Sequence, residues 1–244
     1  LASAPADGYQ FLVTDGSMLS INPAIYSKLT YDAQKDFVPV ALVARAPLFL
    51  AVHPKVPAAT LAEFIAYVKS RPGQVNYGSS GIGSTHHLTI EAMKSALGLD
   101  MVHVPFKGTG QSVPALVGGQ VEVLMSAYPS LSGFVKDGRV RMLATNSEQR
   151  SAQAPDLPAI AELIPGFDFA PIVGVLAPAG TPPDIVQRIA SEVTAIARQP
   201  DTIAQMKAAG IEAIGGGPTD YAKAIADENA RMAKAIHAAG MKRE

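Results

Sequence analysis

Short apolar runs typical of β-strands alternate along this chain with segments whose apolar residues recur at helical spacing. The runs with strand character are Gln10–Thr14, Val38–Ala44, Leu48–His53, Val75–Gly78, Met101–Val104, Val121–Met125, Val140–Thr145 and Ile172–Ala177. Strands that alternate with helices in this way predict an α/β fold.

Several helices have marked beginnings. Thr60 and Glu63 predict a capping box, and Ser84 stands where the N-cap of a further helix is expected. Thr181 is predicted to cap another helix, with a proline at its first position and Asp184 in its first turn.

The last helix is predicted from about Thr219 to Ala238. Its apolar stripe consists of Tyr221, Ile225, Met232 and Ile236. We expect the polar residues between them to face water, namely Asp227, Glu228 and Arg231.

Two places in the pattern suggest crossings between lobes. Two apolar runs meet at Pro47, and the apolar strand around Val173 ends in a turn at Gly180. A lobe formed by residues 48–169 would then be inserted into a lobe formed by residues 1–47 and 170–244. Two connections between lobes favour hinge closure over a ligand.

The segment from Val75 to His87 carries the most specific chemistry. A β-type run leads into the glycine loop, which we define as Gly78–Ser84, and a helix follows it. Backbone N–H groups and a helix N-terminus bind anions, and no Lys or Arg lies between Val75 and Glu91. The glycine spacing differs from both nucleotide-binding patterns and from the hydrolase elbow. The loop is therefore predicted to bind an anion through dipoles and hydroxyls, the alternative being a tight turn without a ligand.

Two further strand–turn–helix junctions, at residues 104–110 and 126–130, would lie near the glycine loop, and residues 15–20 would face it from the other lobe. Each could instead be an ordinary loop. The predicted ligand-binding residues are Ser17, Ser20, Ser79, Ser80, Gly81, Gly83, Ser84, Thr85, Ser126, Tyr128 and Val173.

Histidines and nucleophiles give no catalytic or metal pattern. His86 and His87 are adjacent, so on a helix they point about 100° apart and cannot easily bind one ion. His53, His103 and His237 each stand alone in the sequence and are expected to have partly buried structural roles. We predict no catalytic residues, no metal and no cofactor.

Composition excludes several classes of protein. The 244 residues are 48% hydrophobic with a net charge of -1, which argues against a nucleic-acid partner. The apolar stretch Val40–Val52 is too short and too interrupted to span a bilayer, and the first residues lack the pattern of a signal peptide. Because the chain opens at Leu1 rather than Met, we expect a processed or incomplete product.

A set of short motifs occurs in order along nearly the whole chain. They are Asp7-Gly8-Tyr9, Ile21-Asn22-Pro23, Tyr31-Asp32, Asp36-Phe37-Val38-Pro39-Val40, Asn76-Tyr77-Gly78-Ser79, Met101-Val102-His103-Val104-Pro105-Phe106-Lys107-Gly108, Leu116-Val117-Gly118-Gly119-Gln120-Val121 and Leu176-Ala177-Pro178-Ala179-Gly180-Thr181-Pro182. Together they resemble the Bug family, the extracytoplasmic solute-binding proteins of tripartite tricarboxylate transporters.

The resemblance implies a two-lobed periplasmic-binding-protein fold, type II-like, with crossing hinge strands and a Venus-flytrap closure. It also implies a periplasmic monomer that captures a small di-, tri- or aromatic carboxylate, delivers it to the membrane permease, and is not an enzyme.

The chain departs from the family pattern in two places. The family's N-terminal strand, loop and helix are absent from the sequence, so the first lobe is expected to be incomplete. Ser126 stands where many relatives have an acid, which argues against an amino-acid ligand. Two alternatives remain at this point: an enzyme of the same two-lobed architecture acting on an anionic substrate, and an effector-sensing domain of a transcription regulator.

Overall fold

The computed structural model describes residues 1–241 and 243. These residues form two compact units, and both contain helices and strands, which confirms the predicted α/β class. Unit 1 comprises Leu1–Ala46 and Pro171–Ala233 with Arg243, and unit 2 comprises Pro47–Ala170 and Lys234–Met241. The lobe limits given above stay a prediction.

The strands are, in chain order, β1 (Leu12–Asp15), β2 (Phe37–Arg45), β3 (Leu48–Val52), β4 (Val75–Ser79), β5 (Met101–Pro105), β6 (Val123–Ala127), β7 (Arg141–Thr145), β8 (Ile172–Pro178) and β9 (Glu212–Gly216). Each predicted strand is present within a few residues of its expected limits. The strand that the pattern missed is β9, because its sequence ends in two glycines and contains a single large apolar residue, Ile214.

The helices are α1 (Ser17–Ser20), α2 (Asn22–Ile25), α3 (Leu61–Lys69), α4 (Thr85–Leu97), α5 (Thr109–Val117), α6 (Tyr128–Lys136), α7 (Pro183–Ala197), α8 (Pro200–Ala208) and α9 (Pro218–Ala238), with a 3₁₀ turn at Ile160–Glu162. No helix of the described residues is both long enough and apolar enough to cross a bilayer.

The predicted helix caps are confirmed at two of three places. The capping box of Thr60 and Glu63 is present, and Ser84 caps α4. The prediction for Thr181 is wrong, because Pro182 occupies the N-cap position of α7. The Thr181 hydroxyl instead donates to the carbonyl of Pro178 at 2.8 Å, so it closes the turn after β8.

The sheet of unit 1 is antiparallel, with strand order β1-β8-β2-β9. β8 pairs on both of its edges and is almost entirely buried, as expected of an inner strand. Tyr221 of α9 packs against this sheet and is fully buried together with Leu176.

One residue of α9 is placed differently from the prediction. Glu228 is only 3% exposed and does not face water. Its carboxylate lies against Gly16, since a Cβ atom built there would be 1.7 Å from a Glu228 carboxylate oxygen. Helical periodicity separated polar from apolar residues but could not show that the chain around Gly16 packs on the polar face of α9.

The sheet of unit 2 is mixed, with strand order β5-β4-β6-β3-β7. β4 pairs in parallel with both β5 and β6, whereas β3 pairs antiparallel with β6 and β7. All residues of β3 are buried, which explains why this strand reads as a continuous apolar run. The carboxyl ends of β4, β5 and β6 therefore meet at one edge of the sheet.

Candidate functional site

The candidate site of unit 2 lies where β4, β5 and β6 end. The glycine loop begins in the last two residues of β4, residues 106–108 follow β5, and Tyr128 begins the helix after β6. In sheets with parallel strands, ligands bind at this edge because the loops there can vary without disturbing the core.

Two backbone hydrogen bonds join the first two of these loops. The N–H of Phe106 donates to the carbonyl of Ser79, and the N–H of Gly108 donates to the carbonyl of Ser80, both at 3.1 Å. The sequence predicted that these junctions would be neighbours, and the structure brings them together.

The glycine loop owes its shape to two left-handed residues. Gly81 has φ of 137° and Gly83 has φ of 73°, conformations that side-chain-bearing residues rarely adopt. Ser79 Oγ accepts the N–H of Gly81 at 3.1 Å, and Ser84 Oγ donates to the carbonyl of Gly81 at 2.8 Å. These bonds hold the middle of the loop against both of its ends.

The same loop ends in a capped helix. Ser84 Oγ accepts the N–H of His87 at 3.3 Å, which satisfies one of the first N–H groups of α4. Other N–H groups of this turn have no intrahelical acceptor, among them that of Thr85. With the helix dipole, this end of α4 favours a negative charge.

The predicted hydroxyls of this loop differ in accessibility. Ser80, Ser84 and Thr85 are half-buried, whereas Ser79 is fully buried. Ser80 Oγ lies 2.8 Å from His86 Nδ1, so a ligand that bonds to this hydroxyl would share it with the imidazole. Of the loop glycines, Gly83 is buried and Gly81 is partly exposed.

The remaining predicted ligand-binding residues of unit 2 lie at the end of β6. Ser126 is fully buried, and among the described residues its hydroxyl has no hydrogen-bond partner. A buried hydroxyl without a partner is unfavourable, so this position suits a polar group of a ligand or a water molecule. Tyr128 is half-buried, and its ring contacts that of Phe49 edge to face at 5.7 Å.

The predicted ligand-binding residues of unit 1 lie around β1 and α1. Val173 of β8 pairs with Asp15 of β1, and the Ser17 hydroxyl donates to the Asp15 carboxylate. The buried Ser20 hydroxyl donates to the carbonyl of Gly16 at 2.9 Å within its own helix. Ser17 and Val173 therefore both lie next to Asp15, while the Ser20 hydroxyl is bonded within its own helix. Ligand contacts at these residues stay a prediction.

A stack of three rings underneath the glycine loop was not predicted. The centroids of His87 and His103 are 3.9 Å apart with the rings 10° from parallel, and Tyr77 stacks on His103 at 4.9 Å. The parallel register of β4 and β5 places Tyr77 beside His103, and α4 brings His87 over them. His103 is thus partly buried with a structural role, as expected, but its ring partners are not visible in the sequence.

Both histidines bond directly to the loop. His87 Nδ1 accepts the N–H of Gly83 at 3.2 Å. His103 Nε2 lies 2.7 Å from the Ser79 hydroxyl, which is the same hydroxyl that receives the Gly81 N–H. The imidazoles thus support both halves of the loop from below.

The surroundings keep the two imidazoles neutral. Burial, with a smaller contribution from His87, lowers the pKa of His103 to about 4, and burial also lowers the pKa of His87. The nearest charges are Glu91 and Lys94 of α4, whose side chains are joined at 2.5 Å. The Tyr77 hydroxyl donates to Glu91, and burial raises the pKa of this phenol.

Among the residues that the structure describes, no group of three or more His, Cys, Asp or Glu side chains is arranged so that it could hold a metal ion. His86 and His87 bond to different partners, Ser80 and Gly83, as expected from their divergent directions on the helix.

A comparison with models of protein families shows which family the chain belongs to. Residues 1–241 match the model of the tripartite tricarboxylate transporter family receptor, TctC. This chain belongs to that receptor family. Its members are solute receptors, so the receptor is a binding protein and not an enzyme, and the enzyme alternative has no support.

Solved structures of similar proteins agree with this assignment. An R. palustris protein solved with adipate is 33% identical, with a TM-score of 0.87 over 100% of this receptor and 82% of that chain. The periplasmic binding protein BugD is 26% identical, with a TM-score of 0.82 over 100% and 82%. MatC from Rhodopseudomonas palustris, solved with malate, is 29% identical, with a TM-score of 0.78 over 96% and 81%. The receptor therefore has the two-lobed fold of the Bug proteins, as the sequence motifs predicted.

Proposed function

We propose that this receptor captures a small organic carboxylate in the periplasm and delivers it to the permease of a tripartite transporter. The observation that carries the proposal is the glycine loop, whose shape suits an anion and whose sequence contains no Lys or Arg. Similar proteins have been solved with adipate and with malate, which supports a carboxylate as the anion.

The ligand carboxylate is proposed to lie against the loop and the first turn of α4. The Ser80 hydroxyl and the N–H of Thr85 are the proposed donors. The Ser84 hydroxyl supports the loop instead, because its proton is already donated to the carbonyl of Gly81. Ile82, which is 64% exposed, offers an apolar contact. Hydrogen bonds to a charged group contribute about 1.5–3 kcal/mol each, so two of them supply about 3–6 kcal/mol of the roughly 8 kcal/mol that a micromolar Kd requires, and apolar contacts supply the rest. Ser79 supports the loop from beneath rather than contacting the ligand.

The ligand class is tested by isothermal titration calorimetry with adipate, malate and benzoate, and with hexanediol as an uncharged control. We expect at least one carboxylate to bind with a Kd of about micromolar, and we expect hexanediol not to bind. Binding of none of the carboxylates would overturn the proposed function.

A substitution in the loop tests the location. Ser80→Glu places a second negative charge beside the bound carboxylate, so we expect at least about tenfold weaker binding. Ser95→Glu adds the same charge to the exposed face of α4 and serves as the matched control. Unchanged affinity in Ser80→Glu, with the fold intact by circular dichroism, would place the ligand elsewhere.

Delivery to the permease and action as a monomer are part of the same proposal. Sedimentation of the receptor with and without adipate tests the monomeric state. A receptor gene deletion that leaves adipate or malate uptake unchanged would contradict the transport role.

A further inference from the structure

We propose that His87 is a positioning residue for the glycine loop and that protonation of its ring releases the loop, so that carboxylate binding weakens on acidification. The inference rests on the proposed function for its ligand, but its structural part concerns the free receptor. It is carried by a hydrogen bond, a ring stack and the burial of both imidazoles.

The hydrogen bond gives the mechanism. His87 Nδ1 accepts the N–H of Gly83, which requires that this nitrogen carry a lone pair and not a proton. When Nδ1 takes up a proton it becomes a donor, and two N–H groups then face each other. Gly83 is buried, so its N–H loses its acceptor without gaining water in the same conformation. The loop must move to satisfy it.

The ring stack limits how many protons the site can hold. With the centroids 3.9 Å apart, two imidazolium cations would repel each other strongly in a buried environment. His103 differs from His87 in its bond to the loop. If His103 Nε2 is protonated it donates to Ser79 Oγ, which can still accept the Gly81 N–H and donate to the Gly81 carbonyl. The bond that protonation breaks is therefore the one at His87.

Burial sets the direction of the response, and the charged groups around the stack add smaller effects of opposite sign. Lys94 disfavours a proton on either ring and Glu91 favours one, and each is held by the other. Tyr77 stacks on His103 as a neutral ring. Since burial dominates in both histidines, the neutral forms prevail near neutral pH, and proton uptake occurs below the usual range of histidine.

The first experiment uses the free receptor. Two-dimensional NMR follows the Gly83 amide and the His87 ring from about pH 7.5 to about pH 4.5, and hydrogen exchange reports on protection of the loop. We expect the Gly83 amide to shift and lose protection with the same midpoint as His87. A Gly83 amide that stays unchanged while His87 titrates would overturn the inference, whatever the ligand.

The matched variant is His87→Asn. The Asn Oδ1 occupies the position of Nδ1 and accepts the Gly83 N–H, but it does not titrate. Near neutral pH, we expect the Kd of the variant for adipate to stay within about threefold of that of the parent. On acidification, the increase in this Kd should be at least about tenfold smaller in the variant than in the parent. Dividing the variant's affinity by that of the parent at each pH removes the titration of adipate itself.

Two further variants separate positioning from a general structural role. His53 Nδ1 likewise accepts a backbone N–H, that of Lys55 at 3.1 Å, so His53→Asn is the control and should keep the parental pH profile. His87→Leu removes the acceptor and should weaken binding at every pH. If His53→Asn flattens the profile as His87→Asn does, the inference fails. If adipate, malate and benzoate all fail to bind, the proposed function fails, while the Gly83 measurement still decides the inference.

Discussion

At the scale of single residues, the fold depends on glycines whose neighbours leave no room for a side chain. Gly174 lies in the buried strand β8, and a Cβ atom built there would be 2.3 Å from the ring of Tyr221. Tyr221 is fully buried and fills the centre of the unit 1 core. The glycine and the aromatic ring are therefore a matched pair across the sheet and α9.

Gly174→Ala is expected to destabilise the receptor by about 2 kcal/mol, because a rigid ring and a backbone strand must separate to admit the methyl group. Chemical denaturation checks this value. Gly133 is the matched control, since it lies in α6 and a Cβ atom there meets nothing within 4 Å. Gly133→Ala should be neutral or slightly stabilising. Equal stabilities of the two variants would contradict the packing described for β8.

Among residues, the glycine loop itself could be predicted and the ring stack could not. The loop is a contiguous string whose glycines, hydroxyls and N-cap serine have local meanings. Tyr77 and His103 come together through the register of two parallel strands, which no spacing along the chain reveals. The same limit explains Glu228, whose burial depends on the chain around Gly16.

At the scale of elements, capping residues in the sequence predicted the start of a helix best where the capping side chain has one available hydrogen-bond partner. Thr60 and Glu63 bond reciprocally to each other's backbone at the start of α3. Thr181 has the same chemistry, but α7 begins one residue later than expected, with Pro182 at the N-cap, and the Thr181 hydroxyl donates to the carbonyl of Pro178. Strand β9 had no such signal, because its pairing with β2 determines it.

Thr60→Ala is expected to lower the free energy of unfolding by about 1 kcal/mol, since it removes one half of the capping box. The midpoint of urea unfolding measures the change. Ser95→Ala, on the exposed face of α4, replaces a hydroxyl that caps nothing and should not destabilise. A loss in Ser95→Ala as large as that in Thr60→Ala would show that the cap is not the cause.

At the scale of the whole molecule, the buried histidines make stability depend on pH. Folding lowers the pKa of His103 to about 4 and also lowers that of His87, so the unfolded chain binds more protons in mildly acidic solution. Stability therefore rises with pH in this range. The contribution of the two histidines to stability is present in full above the ordinary pKa of histidine, and it is lost as the pH falls from about 6.5 towards about 4.

The melting temperature is accordingly expected to fall between about pH 6.5 and about pH 4, by more than carboxylate protonation alone would produce. Differential scanning calorimetry on the receptor and on the double variant His87→Asn, His103→Gln measures the difference. The double variant should show a shallower decline in that window. Parallel curves would mean that the pair does not contribute to acid sensitivity.

The sheet of unit 1 takes its strands from two distant parts of the chain. β8 forms the centre of that sheet and pairs with both β1 and β2, yet it is synthesised only after the whole of Pro47–Ala170. The sheet of unit 2, in contrast, lies entirely within that inserted stretch. During translation the sheet of unit 2 can therefore form before the sheet of unit 1, because β1 and β2 are made first but lack β8 until Pro47–Ala170 has been synthesised. The sheet that begins to be synthesised first is thus the one whose strands are completed last.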